Sequence, residues 1–204
     1  MRSVLLTTLY RALDPVVAGL NAIGVTPNMI TALSLVLSAI AALCLGTDQA
    51  FQAILFLVLA GSCDVLDGHL ARTTDSTSLA GAFFDSFVDR ISDGLILVGI
   101  AFLGFATQPA LAVAALLSIL AAFSVSYARA RGESLGVDVR SGPMKRPARF
   151  VSQTLLVVGF AFIQTHSVTL AFQFLTVGMW LFLILTIFTA GQRARHAMAA
   201  LRGN

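Results

Sequence analysis

The sequence predicts an all-α integral membrane protein, with six transmembrane helices preceded by an N-terminal amphipathic helix lying in the membrane interface. Three observations predict it. Of 204 residues, 57% are apolar and only 11% charged, and the mean hydropathy of +0.89 lies outside the range of soluble globular chains. Six apolar stretches, at about residues 28–46, 51–71, 80–105, 108–131, 149–165 and 168–191, are each long enough to cross a hydrocarbon core of roughly 30 Å. With six spans and a cytoplasmic N-terminus, all 13 Lys and Arg residues fall on the cytoplasmic side, whereas the opposite loops GTDQA, GFATQPA and QTHSV hold none. Complete asymmetry of this kind fixes orientation, so both termini are expected inside.

Taken in order, the segment before residue 26 is broken by Arg2, Arg11, Asp14 and Pro15, which suits a helix lying on the interface rather than crossing it. A signal peptide would have to place Arg11 and Asp14 in its apolar region. The first span opens at Thr26-Pro27-Asn28, a helix-start pattern with proline in the first turn. The second and third spans are joined by the short polar loop TTDSTS and are therefore antiparallel neighbours. The fourth ends in a basic segment, Ser126 to Phe150, and the fifth and sixth are joined by QTHSV. One domain over 1–204 is expected: interfacial helix 1–25, six-helix bundle 26–195 and cytoplasmic tail 196–204.

Composition also excludes function classes. A net charge of +3 and a pI near 9.4 suit anionic lipid headgroups or phosphorylated substrates. No basic stretch is interleaved with aromatics, so nucleic acid is not an expected partner. Cys44 and Cys63 lie inside apolar spans and read as small buried hydrophobes. His69, His166 and His196 have no partner at metal-ligand spacing.

The chemistry is concentrated between Asp64 and Asp89, which carry five aspartates: Asp64, Asp67, Asp75, Asp85 and Asp89. Charges in a membrane helix are costly and mark function. Asp64 and Asp67, spaced i, i+3, share one face near the end of the second span; Asp85 and Asp89, spaced i, i+4, share one face at the start of the third. Capping residues beside a solvated loop would account for Asp75 and for Asp64, but not for Asp85 and Asp89. Four carboxylates meeting in a low dielectric repel one another unless a cation sits among them. Carboxylates without His or Cys favour hard cations, Mg²⁺ first and Mn²⁺ or Ca²⁺ after. Such cages commonly hold phosphate oxygens, and two ions clamp both sides of a displacement at phosphorus. Gly68 and Gly81 leave room for a close approach, Arg72 stands where it meets a phosphate, and Ser76, Thr77 and Ser78 precede a helix N-terminus that favours anions.

Asp64-x-x-Asp67-Gly68-x-x-Ala71-Arg72, eight residues, then Gly81-x-x-x-Asp85-x-x-x-Asp89 resembles the signature of the CDP-alcohol phosphotransferases at every fixed position. The resemblance implies transfer of a phosphatidyl-type group from a CDP-linked lipid such as CDP-diacylglycerol to an alcohol, with CMP leaving. It also implies six transmembrane helices, an interfacial N-terminal helix and a homodimer. Carried over residue by residue, it makes Asp64, Asp67, Asp85 and Asp89 ligands of two Mg²⁺ or Mn²⁺ ions, with Asp89 also the general base. It places the CDP-lipid against Thr26, Pro27, Asn28, Met29, Gly68, Arg72, Ser78 and Gly81.

Between Ser126 and Phe150, six cations (Arg129, Arg131, Arg140, Lys145, Arg146, Arg149) meet only Glu133 and Asp138. Membrane anchoring explains part of that density; the remainder suits a phosphate monoester on the acceptor. Here the chain is similar to the family branch that makes phosphatidylinositol phosphate from inositol 1-phosphate, through Asp89 to Gly94, Tyr127 to Glu133, Lys145 to Arg149, Gly178-Met179-Trp180 and Gln192-Arg193. It departs from that branch in three places: Arg129 stands for Lys, and Lys145 and Ala148 each stand for Glu. The resemblance implies that Arg129, Arg149 and Arg193 bind the acceptor phosphate, with glycerol 3-phosphate the alternative acceptor. Asp93, one turn beyond Asp89, is expected in a local ion pair. A small cation transporter, the rival of a different class, predicts acidic residues across the membrane depth, whereas these gather at one side.

Overall fold

The computed structural model describes residues 13–202. Among the described residues there are seven helices and no strand: α1 over residues 13–22, α2 Pro27–Gly46, α3 Ala50–Thr73, α4 Leu79–Phe105, α5 Pro109–Ser134, α6 Arg146–Gln164 and α7 Val168–Arg202. Each apolar stretch of the sequence has become one helix, and every boundary but the end of the last lies within a few residues of that expected from the run of apolar side chains. Five of the helices, all but α1 and α4, are long and apolar enough to cross a membrane. The chain is an integral membrane protein. α4 has the length, but Asp85, Asp89, Arg90 and Asp93 all fall in its first fifteen positions.

Two boundaries differ from expectation. The last helix does not give way to a tail at residue 196 but runs unbroken to Arg202, because Gln192–Arg202 holds neither Gly nor Pro and is rich in Ala, Arg, Met and Leu, all good helix formers. Of the interfacial helix expected over 1–25, the described residues hold one helix, α1, which ends before Gly24 in the left-handed conformation (φ 78°); residues 1–12 lie outside the described residues.

By its packing the chain divides into two compact units, Met1–Ser38 with Phe56–Ser92, and Ala39–Leu55 with Asp93–Asn204. In the first unit, Val17 of α1, Ile30 of α2 and Cys63 and Leu70 of α3 form the buried core, with Leu20, Val25, Leu37 and Leu66 packed against it. α1 is thus bound to the bundle by an apolar stripe while Val16 and Ile23 face outward. The His69 imidazole also bonds the Asp14 carboxylate at 2.8 Å, joining α3 to α1.

In the second unit small residues let helices close up, as expected where van der Waals fit rather than water exclusion drives association. A Cβ on Gly99 of α4 would stand 2.6 Å from the carbonyl oxygen of Ala42 in α2, and one on Gly159 of α6 would stand 2.6 Å from Phe174 of α7. α7 packs along both α5 and α6. At one end of this unit the Gln164 amide donates to both oxygens of Asp48, at 2.9 and 3.1 Å, beside an edge-to-face pair of Phe51 and Phe162. Large apolar side chains such as Leu43, Phe102, Leu120 and Val177 remain exposed, as they must where the solvent is lipid.

Candidate active site

The turn between α3 and α4 brings the acidic faces of the two helices together. Thr74 bonds back to the Leu70 carbonyl, the Ser76 amide to the Ala71 carbonyl, and Asp75, exposed, takes the left-handed conformation (φ 50°) that closes the turn. Ser78 caps α4: its hydroxyl accepts the Gly81 N–H at 3.0 Å. As a result Asp64 and Asp67 of α3 and Asp85 of α4 each offer a carboxylate oxygen within 4.8 Å of the others. Asp89 follows one turn after Asp85, half-buried, and is not one of these three.

Asp67 is the deepest of the group, 6% exposed. The Thr31 hydroxyl of α2 donates to its Oδ2 at 2.6 Å, which holds the carboxylate orientation and leaves its other oxygen for a ligand. The sequence reading missed Thr31. The signal was present: Thr31, Ser34 and Ser38 are hydroxyls spaced three and four apart in an otherwise apolar span, and all three are buried. Ser34 and Ser38 bond back to their own helix, whereas the Thr31 hydroxyl, 3.1 Å from the Pro27 carbonyl of its own helix, makes its shorter bond to the acidic site.

The residues expected to meet a CDP-linked lipid gather at the same end of this unit. Thr26 caps α2 by accepting the Met29 N–H at 3.4 Å, and Pro27 is the first helical residue. A Cβ on Gly81 would stand 3.1 Å from the Ser78 hydroxyl and 3.5 Å from the Asn28 amide oxygen, so α2, the turn and α4 converge on this glycine. A Cβ on Gly68 would stand 3.2 Å from the Arg72 guanidinium, which folds back over its own helix. Thr26, Asn28 and Met29 are exposed, as a docking surface requires.

The second unit holds the basic cluster. Arg149 of α6, 2% exposed, donates from Nη2 (2.8 Å) and Nε (3.3 Å) to Oδ2 of Asp93. It also reaches the Met144 carbonyl at 3.2 Å and the Ser126 hydroxyl at 3.4 Å. Arg193 of α7, 4% exposed, donates to the carbonyls of Ser141 at 3.0 Å and Val125 at 2.8 Å. The loop before α6 is pinned to α7 a second time by the Met144 amide, which donates to the Thr189 hydroxyl. Arg129, in contrast, is exposed and pairs with Glu133 one turn on. Of the three arginines expected at an acceptor phosphate, two are thus buried and bonded to backbone or Asp93, and one is exposed and paired on its own helix. The local ion pair expected of Asp93 is not the one it makes: its partner is Arg149 on another helix, and the adjacent Arg90 bonds the Ser86 carbonyl.

A family model for CDP-alcohol phosphatidyltransferase matches residues 24–191. The chain belongs to the CDP-alcohol phosphatidyltransferase family. The model begins just before the helix start at Thr26 and ends near Arg193, spanning the acidic helices. Among relatives, the chain is 32% identical to the phosphatidylinositol phosphate synthase of Streptomyces avermitilis over 187 residues, 90% of this chain and 76% of that one. It is 29% identical to the archaetidylinositol phosphate synthase of Pyrococcus horikoshii over 182 residues, 89% of this chain and 88% of that one. The crystal structure of the Mycobacterium tuberculosis phosphatidylinositol phosphate synthase with CDP-DAG bound superposes with a TM-score of 0.82 at 28% identity, covering 92% of this chain and 94% of that one. The same enzyme in complex with manganese and citrate superposes at 0.81, covering 90% and 88%. In this phosphatidyltransferase an all-oxygen group of three carboxylates matches the needs of a hard divalent cation.

Proposed function

We propose that the protein transfers a phosphatidyl group from CDP-diacylglycerol to the hydroxyl of inositol 1-phosphate, releasing CMP. The observation that carries this reading is the convergence of Asp64, Asp67 and Asp85 within 4.8 Å, one turn from Asp89, inside a signature that fits the family at every fixed position. The phosphatidylinositol phosphate synthases among the relatives support inositol 1-phosphate as acceptor, as does a cluster in which two buried arginines and an exposed one suit a phosphate monoester.

Asp64, Asp67, Asp85 and Asp89 would hold two Mg²⁺ ions, which when bound offset the negative charge of the donor pyrophosphate. The remaining work falls to the chain. The backbone and side chains of Thr26 to Met29 and Ser78, with the bare surfaces of Gly68 and Gly81, receive the nucleotide end of the donor, and Arg72 donates to its phosphate oxygens. Arg193 and the exposed Arg129 hold the acceptor phosphate. Arg149 gives most of its N–H groups to Asp93, Met144 and Ser126, so its contribution is one remaining donor and a fixed positive charge. Asp89 accepts the proton of the acceptor hydroxyl as oxygen attacks the lipid-side phosphorus, and the bond to CMP breaks. No covalent enzyme intermediate is needed.

The same reading threads the membrane six times. α4, 27 residues long and so roughly 40 Å at 1.5 Å per residue, supplies the sixth span, with its charged half at the cytoplasmic face where soluble acceptor and CMP exchange. Both termini are then cytoplasmic, α1 lies along the interface, the chain acts as one domain, and two copies form the working dimer. The test of the chemical assignment is Asp89→Asn. CDP-diacylglycerol binding should stay within twofold while CMP release falls by about 10²–10⁴; near-normal turnover would remove Asp89 from the base role.

A further inference from the structure

Beyond the acidic site and the arginine cluster, α7 carries a hollow of about 590 Å³ on its projecting end, lined by Ser141, Gly142, Phe188, Gln192, Arg195 and His196. We propose that it is a binding site for the headgroup of an anionic phospholipid, separate from the donor and acceptor sites. Its depth in the membrane follows from helix length. α7 has 35 residues, roughly 52 Å at 1.5 Å per residue, against a hydrocarbon core of roughly 30 Å. The apolar run from Val168 to Ala190 fills that core, so Phe188 sits at its edge and Gln192, Arg195 and His196 stand in the headgroup layer.

The wall opposite α7 is built, not a gap left by a loose loop. Gly142 has φ 94°, and a Cβ there would stand 2.5 Å from the Thr189 methyl, so only glycine lets the loop lie this close. The loop is held against α7 by Arg193 bonding the Ser141 carbonyl at 3.0 Å and the Met144 amide bonding Thr189 at 3.1 Å. The Ser141 hydroxyl is itself covered and has no hydrogen-bond partner among the described residues, so the loop is packed down to its side chains at this wall.

The lining holds Arg195 and His196 and no acid, and among the described residues neither side chain is in an ion pair, which leaves Arg195 as the cation facing the hollow. Cations at this depth attract anionic headgroups, each by about fivefold in affinity. Below them Phe188 and the exposed Ile184, Leu185 and Leu181 of the same helix give acyl chains a path into the bilayer. A soluble phosphate has no use for that apolar track, and a phospholipid has use for all of it.

The test uses the full chain, delipidated in mild detergent and titrated by native mass spectrometry with phosphatidylglycerol, phosphatidylcholine or inorganic phosphate. Phosphatidylglycerol should bind at least fivefold tighter than phosphatidylcholine, and Arg195→Gln should remove that preference. CMP release at saturating substrates and the KM for CDP-diacylglycerol should both be unchanged in the variant. Equal affinity for the two lipids, displacement of bound phosphatidylglycerol by millimolar phosphate, a raised donor KM in Arg195→Gln, or spontaneous crosslinking between copies through Ala199→Cys would each overturn the proposal.

Discussion

Buried polar side chains in this protein are held by one another, and the consequences of cutting them are specific. Removing the hydroxyl in Thr31→Val leaves Asp67 without the donor at 2.6 Å, so the carboxylate loses its orientation. The metal concentration for half-maximal activity should rise about 10–100-fold, read from Mg²⁺ titration of CMP release, with little change in melting temperature. The Asp93–Arg149 pair behaves differently because both side chains are only 3% exposed. Asp93→Asn strands a buried guanidinium and should cost about 3–5 kcal/mol of stability, seen as a lowered melting temperature in detergent, together with a raised KM for the acceptor. The double replacement Asp93→Asn with Arg149→Met should recover much of the thermal stability and none of the acceptor affinity. The acidic residues were legible in the sequence because charge in an apolar chain is conspicuous and helical spacing sorts it by face. Thr31 was only partly so: the hydroxyls at 31, 34 and 38 stand out in an apolar span, but a span hydroxyl satisfies itself on the preceding turn as readily as it reaches another helix, so spacing does not say which one meets the acids. Nor were the carbonyls of Val125, Ser141 and Met144 that anchor the arginines, because backbone acceptors leave no trace in residue identity.

At the scale of elements, helix contacts are set by where side chains are missing. Gly99→Val would drive its side chain into the Ala42 backbone, which no rotamer avoids. It should lower the melting temperature by an amount equivalent to about 1–3 kcal/mol and reduce the yield of folded protein. Gly19→Ala, with nothing within 4 Å of the new methyl, should leave both unchanged or slightly improved. The order and number of the helices were legible from apolar run length alone. Their ends were less so: α7 continues to Arg202 because polar residues that end an apolar run do not end a helix. The charged first half of α4 is the same lesson in reverse, since it is as helical as its apolar second half while standing outside the composition of an ordinary span. What makes it a helix is the backbone; what makes it unusual is the four charges in its first fifteen positions.

For the whole molecule, two expectations follow from the proposed threading and activity. Six spans place Arg2 and Arg202 on the same side, so cysteines introduced singly at both positions should react with a membrane-impermeant maleimide in inside-out vesicles and be protected in right-side-out ones; opposite labelling of the two would require an odd number of crossings. The activity rests on the acidic group accepting a donor and the basic cluster accepting a phosphorylated alcohol, and the acceptor decides the reading. Purified protein with radiolabelled CDP-diacylglycerol and Mg²⁺ should be offered inositol 1-phosphate, glycerol 3-phosphate, free inositol and serine in parallel. CMP release and a labelled phosphatidylinositol phosphate are expected only with inositol 1-phosphate, and are lost in Asp89→Asn. Product formed with free inositol or serine as efficiently, or no CMP with any of the four, would contradict it.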